Sequence, residues 1–161
     1  MEIFILSNWD ILLRLLIALV LSGLMGVERT MAGKMAGLRT YALVGLGSTL
    51  FIIISISVAS ATYNIEGFNF DPLRVAAQVV LGVGFLGGGL IIFHESGLHG
   101  LTTAAGLWVA AGVGVACGFG LYLPAILATF FSVFIFNILW LLEEKFLKKD
   151  FFKSYKSMNN G

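Results

Sequence analysis

Residues 100–142 read GLTTAAGLWVAAGVGVACGFGLYLPAILATFFSVFIFNILWLL and contain no charged side chain. One membrane crossing needs about 20 apolar residues to cover the ~30 Å hydrocarbon core, so this stretch is long enough for two. Its only turn residues are clustered at Gly118-Phe119-Gly120-Leu121-Tyr122-Leu123-Pro124. The division there predicts one span over 101–117 and a second over 121–142.

The same ruler works backwards along the chain. Residues 40–65 and 75–93 are also free of charge, which predicts spans over 40–62 and 74–93. Residues 11–27 are apolar apart from Arg14, which is expected to snorkel to the headgroups from its place near a helix end. A cleaved signal peptide is a poor fit, because Glu2 and Asp10 stand where a basic n-region belongs. The expected fold is therefore all-α and integral to the membrane: a five-helix domain over 1–145 and a short basic tail over 146–161. The tail alternates Lys148, Lys149, Lys153 and Lys156 with Phe151, Phe152 and Tyr155. It reads either as a segment lying on anionic lipid or as a frayed, solvated end.

Composition agrees. The 161 residues are 58% hydrophobic and 12% charged, with mean hydropathy +0.96. An ordinary soluble domain carries about twice that charge. A net charge of +1 offers no basic face for nucleic acid, and one Cys excludes a disulfide framework and a Cys-based zinc site. Twenty Gly against two Pro suit close helix–helix contacts in lipid.

Basic residues set the expected orientation. Arg29, Lys34, Arg39, Lys145, Lys148, Lys149, Lys153 and Lys156 fall on one side of a five-span topology, leaving Arg14 and Arg74 on the other. The N-terminus is then outside and the tail cytoplasmic. Trp9, Tyr63 and Tyr122 would mark the outer aromatic belt and Trp140 the inner one.

Two segments echo each other about sixty residues apart. Gly23-Leu-Met-Gly26 precedes Gly37-Leu38-Arg39-Thr40, and Gly84-Phe-Leu-Gly87 precedes Gly100-Leu101-Thr102-Thr103. This suggests a parallel repeat of helices 1–2 and 3–4 about an axis along the membrane normal. Gly82, Gly84, Gly87 and Gly88 mark the third helix as a packing surface, and Gly84–Gly88 and Gly114–Gly118 have the G-x-x-x-G spacing. Such pairs serve either the bundle itself or a homo-oligomer such as a dimer.

The polar residues form two candidate clusters. On the outer side, Asp71 and Pro72 start the third helix, with Asp71 a cap or a ligand. Arg74 and Gln78 follow on one face, as a lipid anchor or as a pocket with Asp71. On the inner side, Glu28 and Glu95 stand near helix C-termini, where a carboxylate needs a basic partner or a cation. Arg29, Lys34 and Arg39 are the basic residues within reach. Arg39 is expected to join Glu28 and Glu95 in one buried cluster, with Thr40 and Thr103 satisfying helix-start donors. Asn137 is expected to hydrogen-bond across helices. His94 and His99 flank Glu95, a weak metal signal whose ordinary alternative is solvated loop histidines. No phosphate-loop spacing and no Ser/His/Asp arrangement is present in the sequence.

These residues carry a resemblance. Gly26-Val-Glu28-Arg29, Lys34-Met-Ala-Gly37-Leu-Arg39-Thr40, Asp71-Pro72-Leu-Arg74-Val-Ala-Ala-Gln78, Gly82-Val-Gly84-Phe-Leu-Gly87 and Gly100-Leu-Thr-Thr-Ala-Ala-Gly-Leu-Trp108 resemble the MgtC/SapB family of bacterial membrane proteins. The match is in order over about residues 12–117. The resemblance implies a five-span inner-membrane protein linked to low-magnesium adaptation and to survival of pathogens in macrophages. It also implies an effect on the proton-translocating ATP synthase or on membrane potential. Longer members carry a cytosolic domain similar to ACT domains, where this chain has its short tail. A non-enzymatic regulator with no cofactor is the leading expectation. A transporter or channel for Mg²⁺ or another cation is the alternative, and a membrane enzyme comes last.

Overall fold

Among the described residues the chain folds into five helices with a short β-hairpin between the third and the fourth. The computed structural model describes residues 6–63, 65, 70–94 and 97–139. Trp140, Glu95 and the basic tail lie outside these residues.

The first three helices begin where a side chain offers their first amides a partner, whereas the fourth and fifth have no side-chain cap. Ser7 and Asp10 form a reciprocal capping box, with both backbone N–H···O contacts at 3.1 Å, and α1 runs over Asn8–Met31. Asp71 accepts from the Leu73 amide at 2.9 Å and Pro72 takes the first helical position, so α3 covers Pro72–Gly89. Helix α2, Leu38–Thr62, has no cap of its own; the first amide, Leu38 N–H, donates to Thr30 Oγ1 of α1 at 2.9 Å. Helix α4 covers Leu101–Gly118, and α5 covers Tyr122–Phe134 before continuing as a π turn over Ile135–Leu139.

Two helix ends close in the same way. Gly33 (φ 63°) after α1 and Gly120 (φ 77°) after α4 adopt the left-handed conformation. The amides that follow reach back five residues: Lys34 to Arg29 O at 2.9 Å and Leu121 to Ala116 O at 2.8 Å. A side chain would strain either position.

Helices α1, α2, α3 and α4 are long and apolar enough to cross a membrane, and the described part of α5 is shorter. The chain is a multi-pass membrane protein, and its fold class is the expected one. Third-helix geometry differs from expectation: α3 ends at Gly89, and the strands β1 (Ile92–His94) and β2 (Gly97–His99) pair antiparallel with His94 opposite Gly97.

Helix α4 lies at the centre and touches all four other helices. Its buried residues Leu107, Ala110, Val113 and Cys117 share one core cluster with Ala18 and Met25 of α1 and Tyr41 of α2, while Gly114 packs on Gly45 and Ser48 and Gly118 on Ile52 of α2. Polar side chains of α2 tie it to α4. Tyr41 Oη donates to Thr103 O at 3.0 Å, and Thr49 Oγ1 lies 2.7 Å from Gly114 O. Helix α3 is peripheral, with only Val83 and Gly87 buried.

Arg14 departs from the sequence expectation. Instead of snorkelling outward it is 5% exposed and donates through Nη1 to the Gly118 carbonyl at the end of α4. A cation at a helix C-terminus meets both an orphan carbonyl and the negative end of the dipole. Arg14→Met is therefore expected to lower stability by about 1–3 kcal/mol through the carbonyl it leaves buried. Thermal unfolding in mild detergent measures it, and an unchanged Tm would contradict the capping role.

Candidate functional site

The five helices leave a cavity of about 950 Å³ at the end of the bundle that carries the hairpin. Three segments form its walls: the last turns of α1, the first turn of α4 and the π turn after α5. Sequence dictates why these meet. Gly26 of α1 lies so close to α2 that an added Cβ would sit 2.7 Å from Leu38 Cα. Gly37 is equally tight against Thr30. Together with the left-handed turn at Gly33, these contacts fix the α1–α2 elbow and hold Glu28, Arg29 and Lys34 at the cavity.

Arg29 dominates the site. It is 4% exposed, its Nε pairs with Glu28 Oε2, and its Cζ lies 3.8 Å above the Phe136 ring centroid. A planar, weakly hydrated guanidinium tolerates such a position better than an ammonium would. Glu28 is itself largely buried, with its side chain 15% exposed. Lys34 and His99 are exposed on the rim, with Thr102 beside them and Thr103 buried below.

The structure distributes the sequence candidates unevenly. It brings Glu28 to Arg29 and not to Arg39, which is exposed and makes no ion pair among the described residues. Thr40 is likewise exposed, and Thr30 does the capping expected of it. Glu95 lies outside the described residues. His99 lines the cavity while His94 sits at the end of strand β1; among the described residues no three His, Cys, Asp or Glu gather to hold a metal.

At the opposite end Asp71 is a helix cap, and Arg74 and Gln78 are exposed. Neither of their side chains makes a hydrogen bond or ion pair among the described residues. Asn137, expected to bridge helices, donates from Nδ2 to Val133 O of its own helix at 2.8 Å. Of the third-helix glycines, Gly87 alone packs within the chain, against Ala104; Gly82, Gly84 and Gly88 face open space. The packed G-x-x-x-G pair is Gly114–Gly118. In the two echoing segments the second glycine faces the next helix both times, Gly26 on Leu38 and Gly87 on Ala104.

Thr30 and Phe136 were not readable as site residues. Thr30 caps a helix eight residues away across a turn, and Phe136 is one of fourteen phenylalanines, with nothing local to mark it.

A model of the MgtC family matches residues 15–145. The chain is 38% identical over 142 residues to YhiD of Escherichia coli strain K12, covering 88% of this chain and 66% of YhiD. It is 42% identical over 127 residues to protein slr0014 of Synechocystis, covering 79% of this chain and 50% of the relative. It is 43% identical over 116 residues to the protein MgtC of Brucella abortus, covering 72% of this chain and 45% of the relative. The chain thus spans about half to two-thirds of the length of these relatives. No solved structure matches it.

Proposed function

The chain belongs to the MgtC family, and from that premise we propose that it is a non-enzymatic regulator of the bacterial inner membrane. It acts in adaptation to low magnesium or intracellular stress by contacting a membrane partner such as the proton-translocating ATP synthase, with an effect on membrane potential. The positive-inside pattern supports a cytoplasmic hairpin end.

One observation carries this reading: the outward face of α3. Gly82, Gly84 and Gly88 are exposed with open space around each, and Phe85 and Leu81 beside them are 85% and 69% exposed. A row of glycines costs helix propensity of about 1 kcal/mol each against Ala. Inside the bundle nothing repays that cost, whereas a transmembrane helix of a partner could approach the bare backbone closely. The expected result is that Gly84→Leu and Gly88→Leu abolish the growth benefit at low Mg²⁺ while expression and folding stay normal. A photocrosslinker at Phe85 should then capture a membrane protein; capture of a second copy would select self-association instead. Full activity of both leucine variants would end the proposal.

A second reading is a transporter of Mg²⁺ or another cation, supported by Glu28 at the cavity and by YhiD, which bears the name of a candidate magnesium transporter. Magnesium keeps most of its water and needs only one or two carboxylates. Mg²⁺ flux into liposomes that disappears in Glu28→Gln would favour transport over regulation.

A further inference from the structure

We propose that the cavity at the hairpin end binds a phosphate group. Three independent features point to it. First, α4 starts without any side-chain cap: its first helical hydrogen bond is Ala104 N–H to Gly100 O at 2.8 Å, so the Leu101, Thr102 and Thr103 amides have no helical acceptor. Those amides, with the positive end of the helix dipole, are a ready-made anion cradle.

Second, Arg29 lines the cavity while 96% buried, and among the described residues only its Nε is hydrogen-bonded. Its Nη1 and Nη2 retain donors in the fork geometry that suits a phosphate. The Phe136 ring under the guanidinium fixes its plane without using those donors. Third, Lys34 stands on the rim, so Arg29 and Lys34 outweigh Glu28 by one positive charge. Glu28 is engaged by Arg29 Nε and helps to orient the fork.

The same balance disfavours a cation as the resident ligand. The phosphate belongs either to an anionic lipid headgroup or to a soluble phosphate. Exposed Leu24, Val27 and Met31 on one wall give an acyl chain an apolar path beside the polar floor.

The test uses the purified full chain in dodecyl maltoside. Native mass spectrometry follows dioleoyl phosphatidylglycerol against dioleoyl phosphatidylcholine, and calorimetry follows inorganic phosphate. Saturable binding of one phosphatidylglycerol, with phosphatidylcholine weaker, assigns the site to a headgroup. Saturable binding of inorganic phosphate assigns it to a soluble ligand. In either case Arg29→Lys, which keeps the charge but loses the fork, should weaken binding on the order of tenfold, the worth of one charge-assisted hydrogen bond. Lys34→Gln, at an exposed position that does not threaten folding, should weaken it several-fold, and Arg74→Gln at the far end should not change it. Failure of both probes to saturate would overturn the proposal, as would wild-type binding by Lys34→Gln or an equal loss in Arg74→Gln.

Discussion

Replacing Gly114 by alanine is expected to disrupt the bundle, while the same replacement at Gly84 leaves it folded. A Cβ at position 114 would sit 2.3 Å from the Gly45 carbonyl oxygen and 2.8 Å from Ser48 Cβ, both on α2. The nearer atom is backbone and cannot rotate away, so α2 and α4 must separate along the centre of the molecule. That separation would also stretch the Thr49 Oγ1 contact to the Gly114 carbonyl. Overpacking of this kind costs about 1–3 kcal/mol where side chains can yield, and more where they cannot. At Gly84 nothing lies within 4 Å of the added atom, and alanine is the better helix former by about 1 kcal/mol. Size exclusion and thermal unfolding in detergent should show loss of the monodisperse species for Gly114→Ala alone. Equal Tm values for the two variants would contradict the central packing.

This contrast shows what the sequence can and cannot express. Gly84–Gly88 and Gly114–Gly118 have the same spacing, and spacing is all a single chain displays. Which pair is packed depends on the neighbour each helix acquires, and α4 takes the centre because four helices close around it. Local signals are legible because their physics is local. Asp71-Pro72 caps α3 as read, and the Gly118–Pro124 turn appears as the left-handed Gly120. Long-range polar pairing is not legible. Arg14 finds a carbonyl 104 residues away, a partner that no window of sequence can indicate. The hairpin at 92–99 escaped for a different reason: three-residue strands carry too few positions for a period-two pattern. At the hairpin end the sequence presented several basic residues near Glu28 without ranking them. The sequence expectation pairs Glu28 with Arg39, whereas the partner in space is the adjacent Arg29, which the π turn covers with Phe136.

Arg29→Ala should therefore be among the most damaging single changes in the protein, and Arg39→Ala among the mildest. Arg29 and Glu28 are both largely buried, so removing the guanidinium strands a carboxylate away from water. Breaking a buried pair from one side costs about 3–5 kcal/mol, much of it the penalty of the charge left behind. The contact over Phe136 adds to the loss, on the order of 2 kcal/mol for a desolvated cation–π pair. Against a typical net stability of about 5–15 kcal/mol, that total would deplete the folded state severely. Arg39 is exposed and holds no ion pair among the described residues, so its removal should stay within about 0.5 kcal/mol. The decisive measurement is a double variant. If the damage comes from the stranded charge, Glu28→Gln combined with Arg29→Ala should recover much of the folded yield that Arg29→Ala alone loses. If instead the guanidinium matters for its stacking on Phe136, the double variant should stay as poor as the single one. An Arg39→Ala protein as unstable as Arg29→Ala would return the inner charges to the arrangement that residue order alone suggested, with Arg39 joining Glu28 and Glu95.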